Sequence, residues 1–328
     1  MKLGAVACGL CSAAVVGIAV AQAAPPDAPL EDPEGHVIPE LVVRARLPGP
    51  AWWTVAKGDA VVFILGLPDE PLPRGLTWDQ SLLQRRLTGA RALILPVRAS
   101  AGLGDVPALL RLRGKLKSRS PMEDDLPETL RVRFAAARAG LGQPVGRYAH
   151  WSPLFAGQML VDDFHHAVRA QSDQPVATIQ AAARRLNAPA RQAASFRVVD
   201  VLNPAIDHLT PEVGQRCLSD ALEEVEAGAP GLQAMADAWA RGDVPRVLAG
   251  PRGFSRCLLL LSGGADFWRR AVDQEAAAVS KALERPVRAV AIFPLRSIIA
   301  EGGVVDRLRS QGLVVDEKTA DAGRAASR

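Results

Sequence analysis

The sequence predicts an α/β fold: a mixed sheet built from the N- and C-terminal parts of the chain, covered by helices, with a large helical middle. Three observations carry this. Short apolar runs of strand type lie toward both ends, at Val61–Leu65, Ala92–Val97 and Val287–Leu295. The region between them is dominated by apolar residues at 3.6-residue spacing. The 328 residues are 48% hydrophobic and 23% charged, which suits a packed core and excludes a disordered chain. The formal charge of +4 is spread rather than blocked, which argues against a nucleic-acid platform.

In chain order, Lys2 precedes an apolar stretch from Leu3 to Val20 and the small-x-small triplet Ala21-Gln22-Ala23. That is the pattern of a signal peptide over 1–23, cut after Ala23, and it predicts a periplasmic or secreted protein. Neither Cys8 nor Cys11 follows a lipobox. Beyond this stretch no run of 18 uncharged apolar residues occurs, so no transmembrane segment is expected after cleavage. Residues 24–44 read as a disordered linker, because 24–37 hold four prolines and four acids without periodicity.

Trp53-Thr54-Val55 and Val61–Leu65 flank Lys57-Gly58-Asp59, which predicts a β-hairpin with a glycine turn. Leu82, Leu83 and Leu87 predict a helix within 79–90, and Ala92–Val97 a buried strand, together a βαβ unit. Helices are expected at 104–117, 125–139, 152–171, 175–187, 211–227, 230–241 and 266–284, with Phe196–Leu202 as a strand among them. Val287–Leu295 reads as a strand, 300–311 as a helix, and Leu313–Asp316 as the last strand, with Gly312 at the helix C-cap. Residues 45–317 thus form one domain, and 318–328 a disordered polar tail.

Motifs for nucleophilic or metal chemistry are scarce. There is no G-x-S-x-G, H-E-x-x-H, Walker loop or cysteine pair at zinc spacing. Asp162-Asp163-Phe164-His165-His166 offers Asp/His pairs at i,i+3, which would suit a metal. Adjacent histidines lie about 100° apart on a helix, so both rarely reach one ion, and an exposed helix face is the expected reading. Five cations fall within Arg111–Arg119 without interleaved aromatics, and Glu123-Asp124-Asp125 follows. This predicts a solvated face, with contact to an anionic envelope polymer as the alternative. Of the six tryptophans, 52, 53, 78, 151, 239 and 268, most are expected in the core and Trp52-Trp53 partly exposed. After cleavage two cysteines remain, Cys217 and Cys257. In an oxidising compartment they are a disulfide candidate, and two buried thiols are the alternative.

Five segments occur in a telling order: Gly49-Pro50-Ala51-Trp52-Trp53-Thr54-Val55, VVFILGLPDEPLPRGLTWD (61–79), Trp151-Ser152-Pro153-Leu154-Phe155-Ala156, Ala238-Trp239-Ala240-Arg241-Gly242-Asp243-Val244, and AVAIFPLRSIIAEGGVVDRLRSQGLVV (289–315). Together they resemble the TraB/PrgY/GumN family, most closely its exported GumN-like bacterial branch. The resemblance implies a fold similar to the Tiki-type metalloproteases. In that fold two G-x-x-H motifs at strand ends, an acid after the second strand and an Arg-Asn pair on a late helix form a metal-dependent hydrolytic site.

At those positions this chain has Gly66-Leu67-Pro68-Asp69, Pro96, Gly264-Ala265 and Phe293-Pro294-Leu295-Arg296. A proline has no side-chain donor and an arginine is permanently cationic, so neither ligates a metal. The resemblance therefore implies a degenerate member with no catalytic residue, no metal and no cofactor, in which Asp69 and Arg296 mark the vacated site. The expected role is a non-catalytic scaffold or binding protein with an envelope protein or polymer as partner. Two alternatives stand: a metal-dependent hydrolase with relocated ligands, drawing on His150, His165 or His166, and an exopolysaccharide accessory protein.

Overall fold

The computed structural model describes residues 32–41, 49–171 and 175–316. The expected signal peptide, the start of the linker and the tail from 318 lie outside them.

Six strands form the main sheet: β1 (Trp52–Lys57), β2 (Ala60–Leu67), β3 (Ala90–Leu95), β4 (Ala190–Gln192), β5 (Arg288–Pro294) and β6 (Val314–Asp316), in the order β6-β1-β2-β5-β3-β4. The β1–β2 hairpin is antiparallel, with Trp52 opposite Leu65 and Lys57 opposite Ala60. It turns at Gly58, whose φ of +56° costs a glycine nothing sterically. β6 closes the outer edge antiparallel to β1, while β2, β5, β3 and β4 run parallel. Val290 of β5 thus faces Phe63 on one side and Leu93 on the other. The sheet joins the two ends of the chain, as the apolar runs predicted.

Helices cover it: α1 (Ser81–Leu87), α2 (Val106–Lys115), α3 (Glu128–Gly140), α4 (Pro153–Ala167), α5 (Val176–Arg185), α6 (Val198–Asp207), α7 (Pro211–Ala240), α8 (Val244–Leu248), α9 (Gly253–Leu260), α10 (Gly264–Ala282), α11 (Leu295–Ile299) and α12 (Val304–Ser310). On one face Trp53, Val62, Ile64, Ala291 and Phe293 pack against α10, α11 and α12. On the other, Trp52, Leu65, Leu93 and Ile292 pack against α1, α5 and Trp239. Because successive strand residues point to opposite faces, Trp52 and Trp53 enter different cores, 6% and 0% exposed. This corrects the expectation that the pair is partly exposed, since a sheet covered on both faces has no wet side. Trp78 and Trp151 are the half-buried ones instead.

Two further expectations are corrected. Of the segment 196–202 only Phe196 and Arg197 are strand, within Ser195–Arg197 paired with Arg98–Ser100, and α6 begins at Val198. Val199, Ala205 and Ile206 form its buried face, so helical packing overrides the β-propensity of the valines. The proline-rich linker reading fails for 32–41. Ile38 N–H donates to Ile299 O at 2.9 Å, Glu301 N–H to His36 O at 3.0 Å, and Leu41 is fully buried.

α4 starts at Pro153 behind Ser152, whose hydroxyl accepts from Phe155 N–H, a normal N-cap. α7 is capped by Thr210 and breaks at Gly228 (φ +65°) just ahead of Pro230, so its arms are the two helices expected there. α4 and α7 approach closely at Gly157, where a Cβ would lie 3.2 Å from Ala221 Cβ and 3.3 Å from Leu218 Cα. Two turns beyond Gly157 is His165, and one turn beyond Ala221 is Glu224.

Candidate functional site

Parallel strands end together. β2 and β5 are in register at Leu67 and Pro294, so the residues that follow, Asp69-Glu70 and Leu295-Arg296, leave the same end of the sheet. Ligands of open α/β sheets bind beyond these carboxyl ends.

The first cluster gathers there around two arginines. Arg296 Nε lies 3.6 Å from Asp69 Oδ2, and its Nη2 donates to Leu248 O at 2.7 Å. Arg252 donates through Nη2 to Asp32 Oδ1 at 2.9 Å and to Glu34 Oε2 at 3.5 Å. Glu34 Oε1 also accepts from Trp268 Nε1 at 3.0 Å and Ser297 Oγ at 2.8 Å. Burial and the Glu34 carboxylate push Asp69 up to about 7, while Arg296 and Arg252 pull it down. A fifth of the Asp69 side chain stays accessible, so water moderates that shift. Burial lowers Arg296 from its ordinary value, against the pull of Asp69. Beside this cluster, Glu275 of α10 reaches the end of β3 and accepts Val97 N–H at 3.1 Å; burial pushes it up to about 8.

A second cluster begins one residue along. Glu70 Oε1 lies 3.4 Å from Ser255 Oγ and meets Glu224. Glu224, on α7, lies with Oε1 2.5 Å from His165 Nε2 and accepts Phe254 N–H on Oε2 at 3.4 Å. Loss of hydration and the facing Glu224 carboxylate raise Glu70 well above the ordinary carboxylate range. The Cys217–Cys257 disulfide ties α7 to α9 beside this cluster, with Cα atoms 4.9 Å apart.

Among the described residues no helix is long and apolar enough to cross a membrane. A model of the TraB/PrgY/gumN family matches residues 51–317, most of the chain. The chain belongs to the TraB/PrgY/gumN family. Neither the curated proteins nor the solved structures contain a match to it.

At the positions where this family's site residues were expected, local packing explains what the chain carries. A Cβ on Gly66 would press within 2.8 Å of Leu295 Cδ1 and 3.0 Å of Trp53 Cζ3, and Gly66 O accepts Trp239 Nε1 at 2.8 Å. A side chain at this position would have to displace Leu295 or Trp53. Pro96 leaves the end of β3 without an acid, and Glu275 arrives there from α10. A Cβ on Gly264 would overlap the carbonyl oxygens of Leu258 and Leu259, so no side chain fits at the expected arginine position, and Ala265 follows it. The metal implied by the TraB/PrgY/gumN fold does not fit this centre. One carboxylate facing a guanidinium offers a cation a single donor and a repelling charge.

The Asp/His pairs within Asp162–His166, the alternative to an exposed helix face, do not converge on one point. Asp162 accepts Gln158 Nε2 at 2.8 Å, and Asp163 binds Arg147 and accepts Tyr148 Oη at 2.6 Å. His165 turns instead to Glu224 on another helix, while His166 and His150 are exposed. Glu34, Glu70, Glu224, Arg252 and Glu275 went unnoticed in the sequence. For Glu224 a signal existed: Cys217, Ala221 and Glu224 share the buried face of α7, and an acid at a core position needs a partner. Glu34 sat inside a composition that reads as linker, and nothing local marks Arg252.

Proposed function

We propose that this protein is an exported, GumN-like member of its family that has lost the family's metal chemistry and serves as a binding protein of the cell envelope. The observation that carries this reading is the Arg296 guanidinium 3.6 Å from the Asp69 carboxylate at the two strand ends. An ion pair there balances charge without a cation, so the strand ends keep their convergence and the fold keeps its centre. Export is supported by Lys2, the apolar run to Val20 and the Ala21-Gln22-Ala23 triplet, and by a disulfide of the kind that persists in oxidising compartments.

Three measurements test the reading. The wild-type chain, assayed on peptide and ester substrates with Mn2+ or Co2+, is expected to show no hydrolysis that a chelator removes and Asp69→Asn abolishes; finding such activity overturns it. Asp69→His combined with Arg296→His is expected to add one bound Mn2+ per chain over wild type, because both positions face one centre. For export, the mature N-terminus is expected at Ala24, and mass spectrometry showing Met1 retained on the exported chain contradicts it.

A further inference from the structure

Glu70, His165 and Glu224 come from three separate elements, the end of β2, α4 and α7, and their ligand atoms all lie within 4.8 Å of one another. Glu224 is almost wholly buried, while Glu70 and His165 are partly buried. Glu224 is oriented by Phe254 N–H behind it, and Ser255 Oγ, whose proton goes to Arg252 O at 2.6 Å, stands 3.4 Å from Glu70. Such outer donors are typical of groups held ready for a metal.

Charge balance sets this cluster apart. Among the described residues, no lysine or arginine forms an ion pair or hydrogen bond with Glu70 or Glu224, whereas Asp32, Glu34 and Asp69 each pair with an arginine. Two carboxylates turned toward each other are stabilised by a shared proton or by positive charge beside them, from the neighbouring imidazole or a bound cation. The backbone also makes room for them. Gly253 sits at φ +49°, and a Cβ there would overlap the Glu224 carboxylate and lie 3.2 Å from Glu70 Oε1. A glycine keeps the chain against both carboxylates where any side chain would fill the space.

We propose that Glu70, His165 and Glu224 bind a divalent first-row transition-metal cation. One imidazole nitrogen and two carboxylates, without a thiolate, match zinc, cobalt or manganese. Calcium and magnesium take oxygen ligands in larger numbers. Donors held 2.0–2.2 Å from one ion sit about 3.4 Å from each other, so small side-chain rotations close the set around it. Three protein donors leave a coordination position open to water or a ligand. The site shares no residue with the Asp69–Arg296 pair, so it stands or falls separately from the reading of that centre.

The test uses the full chain, stripped with chelator and titrated with Co2+ while visible absorption and heat are recorded. One equivalent is expected to bind with a visible absorption band, and excess Mg2+ is expected not to displace it. His165→Ala, Glu70→Gln and Glu224→Gln are each expected to weaken binding by about 100-fold, while Asp69→Asn, which removes a neighbouring charge and no ligand, weakens it by less than about 10-fold. The two Gln variants preserve side-chain shape, and each variant's metal-free unfolding midpoint shows that it is folded. Absence of saturable Co2+ binding to the wild-type chain, or equal affinity in His165→Ala, overturns the proposal and leaves the envelope-binding reading untouched. Binding lost in Asp69→Asn but kept in His165→Ala places the ion at the strand-end centre and overturns both.

Discussion

Asp69 and Glu70 are consecutive residues, yet their carboxylates enter differently built surroundings. Asp69 turns toward the segment 32–41 and the end of β5, where two arginines serve three carboxylates. Glu70 turns toward the helical middle, where its partners are a second glutamate, a histidine and a serine hydroxyl. The guanidinium is a fixed charge, and in the first cluster each carboxylate has an arginine beside it. Among the described residues the second cluster has no guanidinium as a partner and offers one imidazole nitrogen and two carboxylates to a cation. One end of one strand thus supports both a closed centre and an open one.

The largest effect expected from breaking this contrast is in the arginine cluster. Arg252→Ala leaves Asp32 without its arginine and Glu34 resting on Trp268 Nε1 and Ser297 Oγ, and is expected to cost about 3–5 kcal/mol in urea unfolding. A cost under 1 kcal/mol would mean the pairing is ornamental. Opening the disulfide acts on the other side. Cys217→Ser with Cys257→Ser is expected to lose about 3–4 kcal/mol, since the bond closes a loop with a sequence separation of 40. It frees α9, and with it Phe254 N–H, from Glu224, so unfolding curves with and without reductant should differ for the wild type alone.

Gly253→Ala places a side chain against Glu224 at a left-handed backbone position. It is expected to destabilise by about 1–3 kcal/mol, and more than Gly58→Ala, which meets nothing within 4 Å. Should the two cost the same, backbone conformation alone explains Gly253.

Acidity sharpens the contrast further. The folded state holds Glu275 protonated up to about 8, whereas the unfolded chain releases that proton near 4.5. Its contribution is whole below pH 4.5 and is lost as pH rises through about 8. Glu275→Gln is expected to flatten that decline and to exceed wild type by about 1–2 kcal/mol at pH 8. The smallest effect is Glu70→Gln: relieving two facing carboxylates is expected to change metal-free stability by less than about 1 kcal/mol.

Much of the sheet was legible because its strands are short, apolar and bounded by turns, and the break in α7 was written as Gly228 and Pro230. β4 was not, because Ala190-Arg191-Gln192 is exposed and has no apolar signature. The polar clusters were half legible. Asp69 and Arg296 stand at the ends of readable strands, and register alone brings them together. His165 and Glu224 meet through the close crossing of α4 and α7 at Gly157, a contact between residues far apart in sequence that periodicity does not specify.

The place of β5 between β2 and β3 has a consequence in time. Both neighbours are complete by Leu95, and the strand that bridges them begins at Arg288. During synthesis the early strands therefore wait without their shared partner through the whole helical middle. Contacts so distant in sequence close late and slowly, because the intervening loop must first be drawn in. Until then β2 and β3 present bare edges that pair readily with other chains. A polypeptide truncated ahead of Arg288 keeps those edges for good and is expected to aggregate rather than fold. The sheet closes only once residues near 288–316 have been made, so most of the chain precedes the pairing that joins its halves.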